Sequence, residues 1–173
     1  MNTKTTKAST AAAGFMPLLC CALLIGSALI ADRAGATPGT GVVGEPIALG
    51  ALPAPIRAKL KSSALEGFGD GTAVTNIVVA KFTIEPGGVF GWHRHGGPVW
   101  AVVAAGTLTE YEGDDFTCTG HAYGPGAAFL DPGDHVHNAR NEGLDRVVVY
   151  ATFMLPAGGV LRVDATDPGV CPF

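Results

Sequence analysis

Three histidines carry the chemistry that this sequence makes available. His93 and His95 stand two apart in a stretch that reads as a β-strand, and strand alternation sends both side chains to one face. Two imidazoles side by side inside a β-structure can share one cation. His137 lies on a later strand, after Pro132, and completes a three-imidazole set if the two stretches meet. A lone histidine is usually a satisfied core or surface residue. A His-x-His pair on a strand weakens that reading. Neutral imidazole suits borderline transition metals, so the cofactor expected is one divalent metal ion: Fe, Mn, Zn, Ni or Cu. Three protein ligands leave coordination positions open, as catalytic sites do.

The elements that must position these residues read as short strands. Thr75 to Ile84 is rich in β-branched residues, and such runs favour strands. Pro86, Gly87 and Gly88 then form a turn signal. Val89 to His95, Pro98 to Ala105 and Thr107 to Tyr111 follow as strands, with Gly106 as punctuation. Phe116 to Tyr123 is short and irregular. Ala127 to Leu130, His135 to Asn141 and Arg146 to Leu155 complete the series, and Gly159 to Val163 reads as an edge strand. Many short strands joined by Gly/Pro turns indicate an all-β barrel or sandwich. Residues 73–156 form that barrel, 157–173 a C-terminal tail and 37–72 an N-terminal arm or extension. In the arm, Ile56 to Leu60 is either one helical turn or a peripheral strand.

Two segments resemble the paired motifs of the cupin superfamily. Gly87, His93, His95 and Gly106 match the first motif, and Gly126, Pro132, His137 and Asn141 match the second. The resemblance spans residues 87–141. It implies a cupin-type double-stranded β-helix (jelly-roll) barrel of the small, single-domain, type-2-like kind, with a metal on His93, His95 and His137. Two positions depart from the pattern. The glutamate of the first motif falls on Val99, and a position usually held by glycine is Asp134. Some cupins use three histidines alone, iron dioxygenases among them, so the resemblance still allows a catalytic metal. A neutral three-histidine shell leaves the full dipositive charge on the ion, which favours an anionic added ligand and acidifies bound water.

Other residues are candidates for the pocket or for supporting the ligands. His135 shares the strand parity of His137 but lies near the turn, where a supporting or exposed role is the plainer one. Glu110, Glu112 and His121 are pocket candidates, although a solvated strand end is the ordinary place for the two glutamates. Asp131 and Asn141 can orient ligand imidazoles through the second ring nitrogen, as metal-bound histidines usually require. Val99, Ala101 and Val103 face inward and make the pocket apolar. Trp92 and Trp100 have the opposite parity to the ligands and to Val99, which assigns them to packing on the outer face.

Composition narrows the setting. The chain has 173 residues, 25 of them glycine and 12 proline, and one domain suits that length. Residues 1–36 read as an export signal: Lys4 and Lys7, an apolar run, then Ala34, Gly35 and Ala36 as an A-x-A-type cleavage site. The apolar run from Ala11 to Ala31 is also long enough to be an uncleaved membrane anchor. Cleavage removes three basic and one acidic residue from the eleven and fifteen present, leaving a net charge of −6. No Lys/Arg cluster then remains, which argues against nucleic acid or an anionic membrane as partner. A membrane contact is expected only if the first segment is retained. Cys118 and Cys171 remain after cleavage. In an oxidising periplasmic or secreted location they form one disulfide; otherwise they are two thiols. The partner expected is a small-molecule substrate or ligand, with a homodimer as a further option.

Four functions are compatible with these residues. The first is an oxygen-using, Fe(II)-type oxidoreductase resembling the dioxygenases. The second is a metal-dependent isomerase, lyase or hydrolase. The third is a non-catalytic module that captures a small ligand or a metal, and the fourth is an empty barrel serving as a scaffold. A fold alone does not choose among them.

Overall fold

The computed structural model describes residues 37, 39–56 and 73–173. The expected export segment, 1–36, lies outside them, as do residues 57–72. The described residues form ten strands and no helix: β1 (Thr40–Ile56), β2 (Val74–Val89), β3 (His93–Arg94), β4 (Val99–Ala105), β5 (Leu108–Glu112), β6 (His121–Tyr123), β7 (Ala128–Asp131), β8 (His137–Arg140), β9 (Val147–Leu155) and β10 (Val163–Asp164). All pairings are antiparallel. One path runs β10-β3-β8-β2-β9-β4-β7, with β5 joining β8 to β6 and β1 lying on β2. Residues 73–173 thus form the nearly closed, double-stranded β-helix that the motifs imply.

Alternation explains the core. In β9, Val147, Val149, Ala151, Phe153 and Leu155 are buried while Tyr150 is exposed. In β4, Val99, Ala101 and Val103 point inward and Trp100 and Val102 outward. These inner faces pack with Val78, Ala80 and Ile84 of β2. Burying side chains of this size contributes about 1.5–3 kcal/mol each. Gly106 makes the turn after β4 with φ +70°, where a Cβ would come within 2.7 Å of the Arg146 carbonyl oxygen.

Three elements differ from the sequence expectation. The Pro86-Gly87-Gly88 turn does not end the strand. It becomes a bulge within β2, and Gly87 and Gly88 exchange backbone hydrogen bonds with Asn141. The strand expected over Val89 to His95 shrinks to two ladder residues, because Gly91 takes φ +75° and turns the chain. In the N-terminal arm no element is expected before Ile56, yet a 17-residue strand runs up to it; the helical turn or peripheral strand expected over Ile56 to Leu60 falls on residues 57–60, outside the described ones. Pro46, Pro53 and Pro55 lie inside the 17-residue strand. Proline is tolerated in a strand that has only one partner, and among the described residues β1 pairs only with β2, with register shifts beside these prolines. Val43, Ile47 and Leu49 of β1 are exposed.

A third cluster lies outside the barrel. Trp92, Tyr111 and Cys171 are buried together with Val136, Ala165 and Val170 against them. Trp92 has outer-face parity, as expected, but it is sealed rather than surface-lying at 1% exposure. The cover is the C-terminal segment. The Cys118–Cys171 disulfide (S–S 2.04 Å) fastens that segment, and the Ala165 amide donates to the Trp92 carbonyl.

Candidate metal centre

The antiparallel register of β3 and β8 sets His93 directly opposite His137. His95 follows two residues later on the same side. The three ring centroids are 4.4, 4.8 and 5.1 Å apart, and one nitrogen from each ring lies within 4.8 Å of the others. His93 and His137 are buried and His95 is half-buried.

Each ring is held from behind. His93 Nδ1–H donates to the Gly91 carbonyl at 2.8 Å and His95 Nδ1–H to the Leu161 carbonyl at 2.6 Å. His137 Nδ1–H faces Asp131 Oδ2 at 2.7 Å and the His135 carbonyl at 3.1 Å. A carbonyl oxygen only accepts, so Nδ1 must carry the hydrogen in each ring. A neutral imidazole then has its lone pair on Nε2. The result is three Nε2 acceptors with fixed ring orientation, the arrangement metal-binding histidines require.

The electrostatics divide the rings. Burial and the neighbouring His137 hold His93 far below the usual histidine range, and the same two causes lower His95 to about 4. Both are neutral at pH 7 and have lone pairs to offer. Burial also opposes charge on His137, but the hydrogen bond and charge of Asp131, helped by Glu110, outweigh it and raise the pKa to about 9. A metal ion there competes with one proton.

Beside the rings is a cavity of about 60 Å³. That volume accommodates roughly four to six water-sized positions. Its wall is largely apolar, with Phe82, Phe90, Phe129 and Phe153 among the lining side chains. The polar part consists of the three histidines, Asp131 and Glu110.

Glu110 is the residue whose surroundings depart most from the sequence expectation. It is 5% exposed, not solvated. It sits opposite Ala139 across the β5–β8 ladder, which makes it the diagonal same-face neighbour of His137. One atom each of Glu110, Asp131 and His137 lie within 4.8 Å of one another. Burial raises the Glu110 pKa to about 7, although His137 acts against the shift.

The remaining candidates fall on different sides of the wall. Val99 lines the cavity directly opposite Asp131. Asp131 reaches His137 and also accepts from the Gly133 amide at 2.5 Å, so one carboxylate orders both a ring and the turn after it. Asn141 does not orient a histidine. Its Nδ2 donates to the Ile84 and Asp145 carbonyls and its Oδ1 accepts from Gly143, which pins the β8–β9 turn. His121 is exposed on β6 and is no pocket residue, because β6 is an outer strand paired only with β5. His135 faces away from the cavity, with Nδ1 2.8 Å from Glu112 and Nε2 3.3 Å from Asp114. The support that Leu161 gives His95 had no signal in side-chain type, since it comes from a backbone carbonyl.

Comparison with known families agrees with the motifs. The family model described as "Cupin domain" matches residues 80–153. A search of curated proteins found no match. Among solved structures, the chain is similar to a cupin superfamily protein from Desulfitobacterium hafniense at 12% identity, covering 67% of this chain and 79% of that one (TM-score 0.45). It is similar to a Klebsiella pneumoniae conserved protein with a double-stranded β-helix domain at 19% identity, covering 66% and 81% (TM-score 0.44). It is also similar to Bacillus subtilis oxalate decarboxylase, described for its Mn(II) centres, at 22% identity, covering 51% of this chain and 23% of that one (TM-score 0.45). With the family match over residues 80–153, both motifs in place and the barrel they imply, residues 80–153 are a cupin domain.

Proposed function

We propose that this protein is an exported, metal-dependent enzyme that uses oxygen on a small molecule, with Fe(II) as the working ion. The observation that carries the reading is the set of three Nε2 lone pairs turned toward one another at the edge of an apolar cavity, each ring fixed through Nδ1. When bound, a divalent ion supplies Lewis acidity and, as Fe(II), electrons for oxygen chemistry. The protein's own residues do the rest. His93, His95 and His137 hold the ion, and Asp131 keeps the His137 ring in register. The phenylalanines exclude water and orient the substrate. The Cys118–Cys171 bridge supports export to an oxidising compartment.

A second reading has its own observation. Glu110 places a buried carboxyl next to His137, and that suits a metal-dependent isomerase or lyase that moves a proton without oxygen.

Elemental analysis of protein purified from its native compartment, followed by oxygen uptake with Fe(II) and a panel of phenols, diketones and thiols, tests the first reading. Oxygen consumption coupled to loss of one of these compounds supports it. Turnover with Zn or Mn under anaerobic conditions supports the second. Stable metal loading with tight ligand capture and no turnover for any ion overturns both in favour of a binding module. A His93→Ala protein with unchanged metal content overturns the metal centre itself.

A further inference from the structure

Glu110 occupies a place that neither the metal-binding role of the histidines nor the packing of the barrel explains. Its neighbours in β5 divide by parity. Thr109 and Tyr111 are buried on the outer side, where Tyr111 packs with Trp92 and Cys171. Leu108 and Glu110 face the cavity. Glu110 shares the cavity lining with the apolar Leu108, Phe129, Ala139 and Val149, and lies near His137 and Asp131. A carboxyl that faces a largely apolar cavity is poorly solvated, and a ligand that brings a donor offsets that cost. The motif position that would bring a carboxylate to the ion from β4 is Val99, which directly faces Asp131. Glu110 therefore brings a carboxyl to the cavity from a different strand, β5.

We propose that Glu110 is the specificity-determining group of this cavity: it accepts the hydrogen of a hydroxyl or amino group on a small molecule whose adjacent oxygen or nitrogen atom faces the three histidines. The inference rests on the metal-centre reading above. Distances define the ligand class. An ion sits about 2.1 Å from an imidazole nitrogen, and a Glu110 oxygen lies within 4.8 Å of a His137 ring nitrogen. One metal–ligand bond and one hydrogen bond of about 2.8 Å must both be made across so short a span, so the ligand's two heteroatoms lie close together. The class is therefore short, 1,2-bifunctional molecules such as 2-hydroxy or 2-amino acids, small enough for a cavity of about 60 Å³.

The test uses Co(II)-loaded full-length protein and two probes of equal charge, glycolate and methoxyacetate, which differ by the hydroxyl hydrogen. Affinity is read from the visible spectrum of the bound Co(II), independent of turnover. The wild type is expected to bind glycolate about tenfold more tightly than methoxyacetate. In Glu110→Leu the ratio falls to near one. In Glu110→Gln, whose amide oxygen still accepts, part of it survives. Both variants retain Co(II). Equal binding of the two probes to the wild type overturns the proposal, as does a tenfold ratio that persists in Glu110→Leu. Loss of Co(II) from both variants also overturns it, because Glu110 would then be a ligand. Wild-type protein that takes up no Co(II) at all overturns the metal-centre reading, and this inference with it, before either probe is added.

Discussion

Replacing Asp131 by asparagine tests the metal centre without touching a ligand. The Asp131 carboxylate is almost fully buried and accepts from two donors, the His137 ring at 2.7 Å and the Gly133 amide at 2.5 Å. Asparagine has the same shape but one acceptor oxygen. If that oxygen stays on His137, the amide nitrogen confronts the Gly133 N–H. If it turns to Gly133, a donor confronts His137 Nδ1 and favours the tautomer whose hydrogen is on Nε2, where the ion must bind. Either way a buried, charge-assisted hydrogen bond is lost, worth about 1.5–3 kcal/mol. Loss of such a support costs metal affinity roughly 10–100-fold, or about 1.4–2.7 kcal/mol. Competition with a chromophoric chelator measures the affinity, and far-UV circular dichroism checks that the barrel is intact. A folded Asp131→Asn protein that binds metal as tightly as the wild type would refute the assignment of Asp131 as the group that orients His137.

Further outcomes are expected. In metal-free protein the folded-state pKa of His137, about 9, lies above its ordinary 6.5. Its stabilising contribution is therefore complete below pH 6.5 and is lost as pH rises toward 9. Denaturant titrations at both pH values should show this loss in the wild type and a flatter profile in Asp131→Asn, while metal affinity rises over the same window; identical profiles for the two proteins would contradict it. Reducing the Cys118–Cys171 bridge, which closes a separation of 53 residues, should cost about 4 kcal/mol and lower Tm by roughly 8–16 °C. Calorimetry with and without reductant measures the shift. Phe153→Ala removes a ring that is 2% exposed and lies edge-on to His95 at 5.3 Å, for an expected loss of about 3–5 kcal/mol and a cavity that binds bulkier ligands.

The parts of this site that were legible from sequence are those governed by strand periodicity and motif spacing. His93 and His95 needed only alternation, and His137 was placed by its distance from Gly126 and Pro132. Parity also placed Val99, Ala101 and Val103 inside. What sequence did not reveal depended on what covers each strand. Glutamates in a five-residue strand are ordinarily solvated, but the C-terminal segment seals the outer side of β5, so Glu110 has only the cavity to face. Trp92 is hidden under the same cover. Asn141 and Asp131 have similar side chains and similar distances from His137 in sequence, and only the turn geometry sends one to backbone groups and the other to the ring. β1 was illegible because it contains Pro46, Pro53 and Pro55, and the exclusion of proline that holds for central strands relaxes at an edge.

The segment from Leu161 to Cys171 reaches the ion-binding rings twice, through the Leu161 carbonyl on His95 and through the pairing of β10 with β3, where Asp164 lies opposite His93. All three histidines precede it in the chain. During synthesis they are therefore complete as chemical groups before the carbonyl that orients His95 has been added. An ion meeting such a nascent chain finds loose imidazoles rather than a socket, unlike the small domains that metals fold. A complete, oriented trio would therefore meet an ion only once that later stretch, tied through Cys171 to Cys118, has docked.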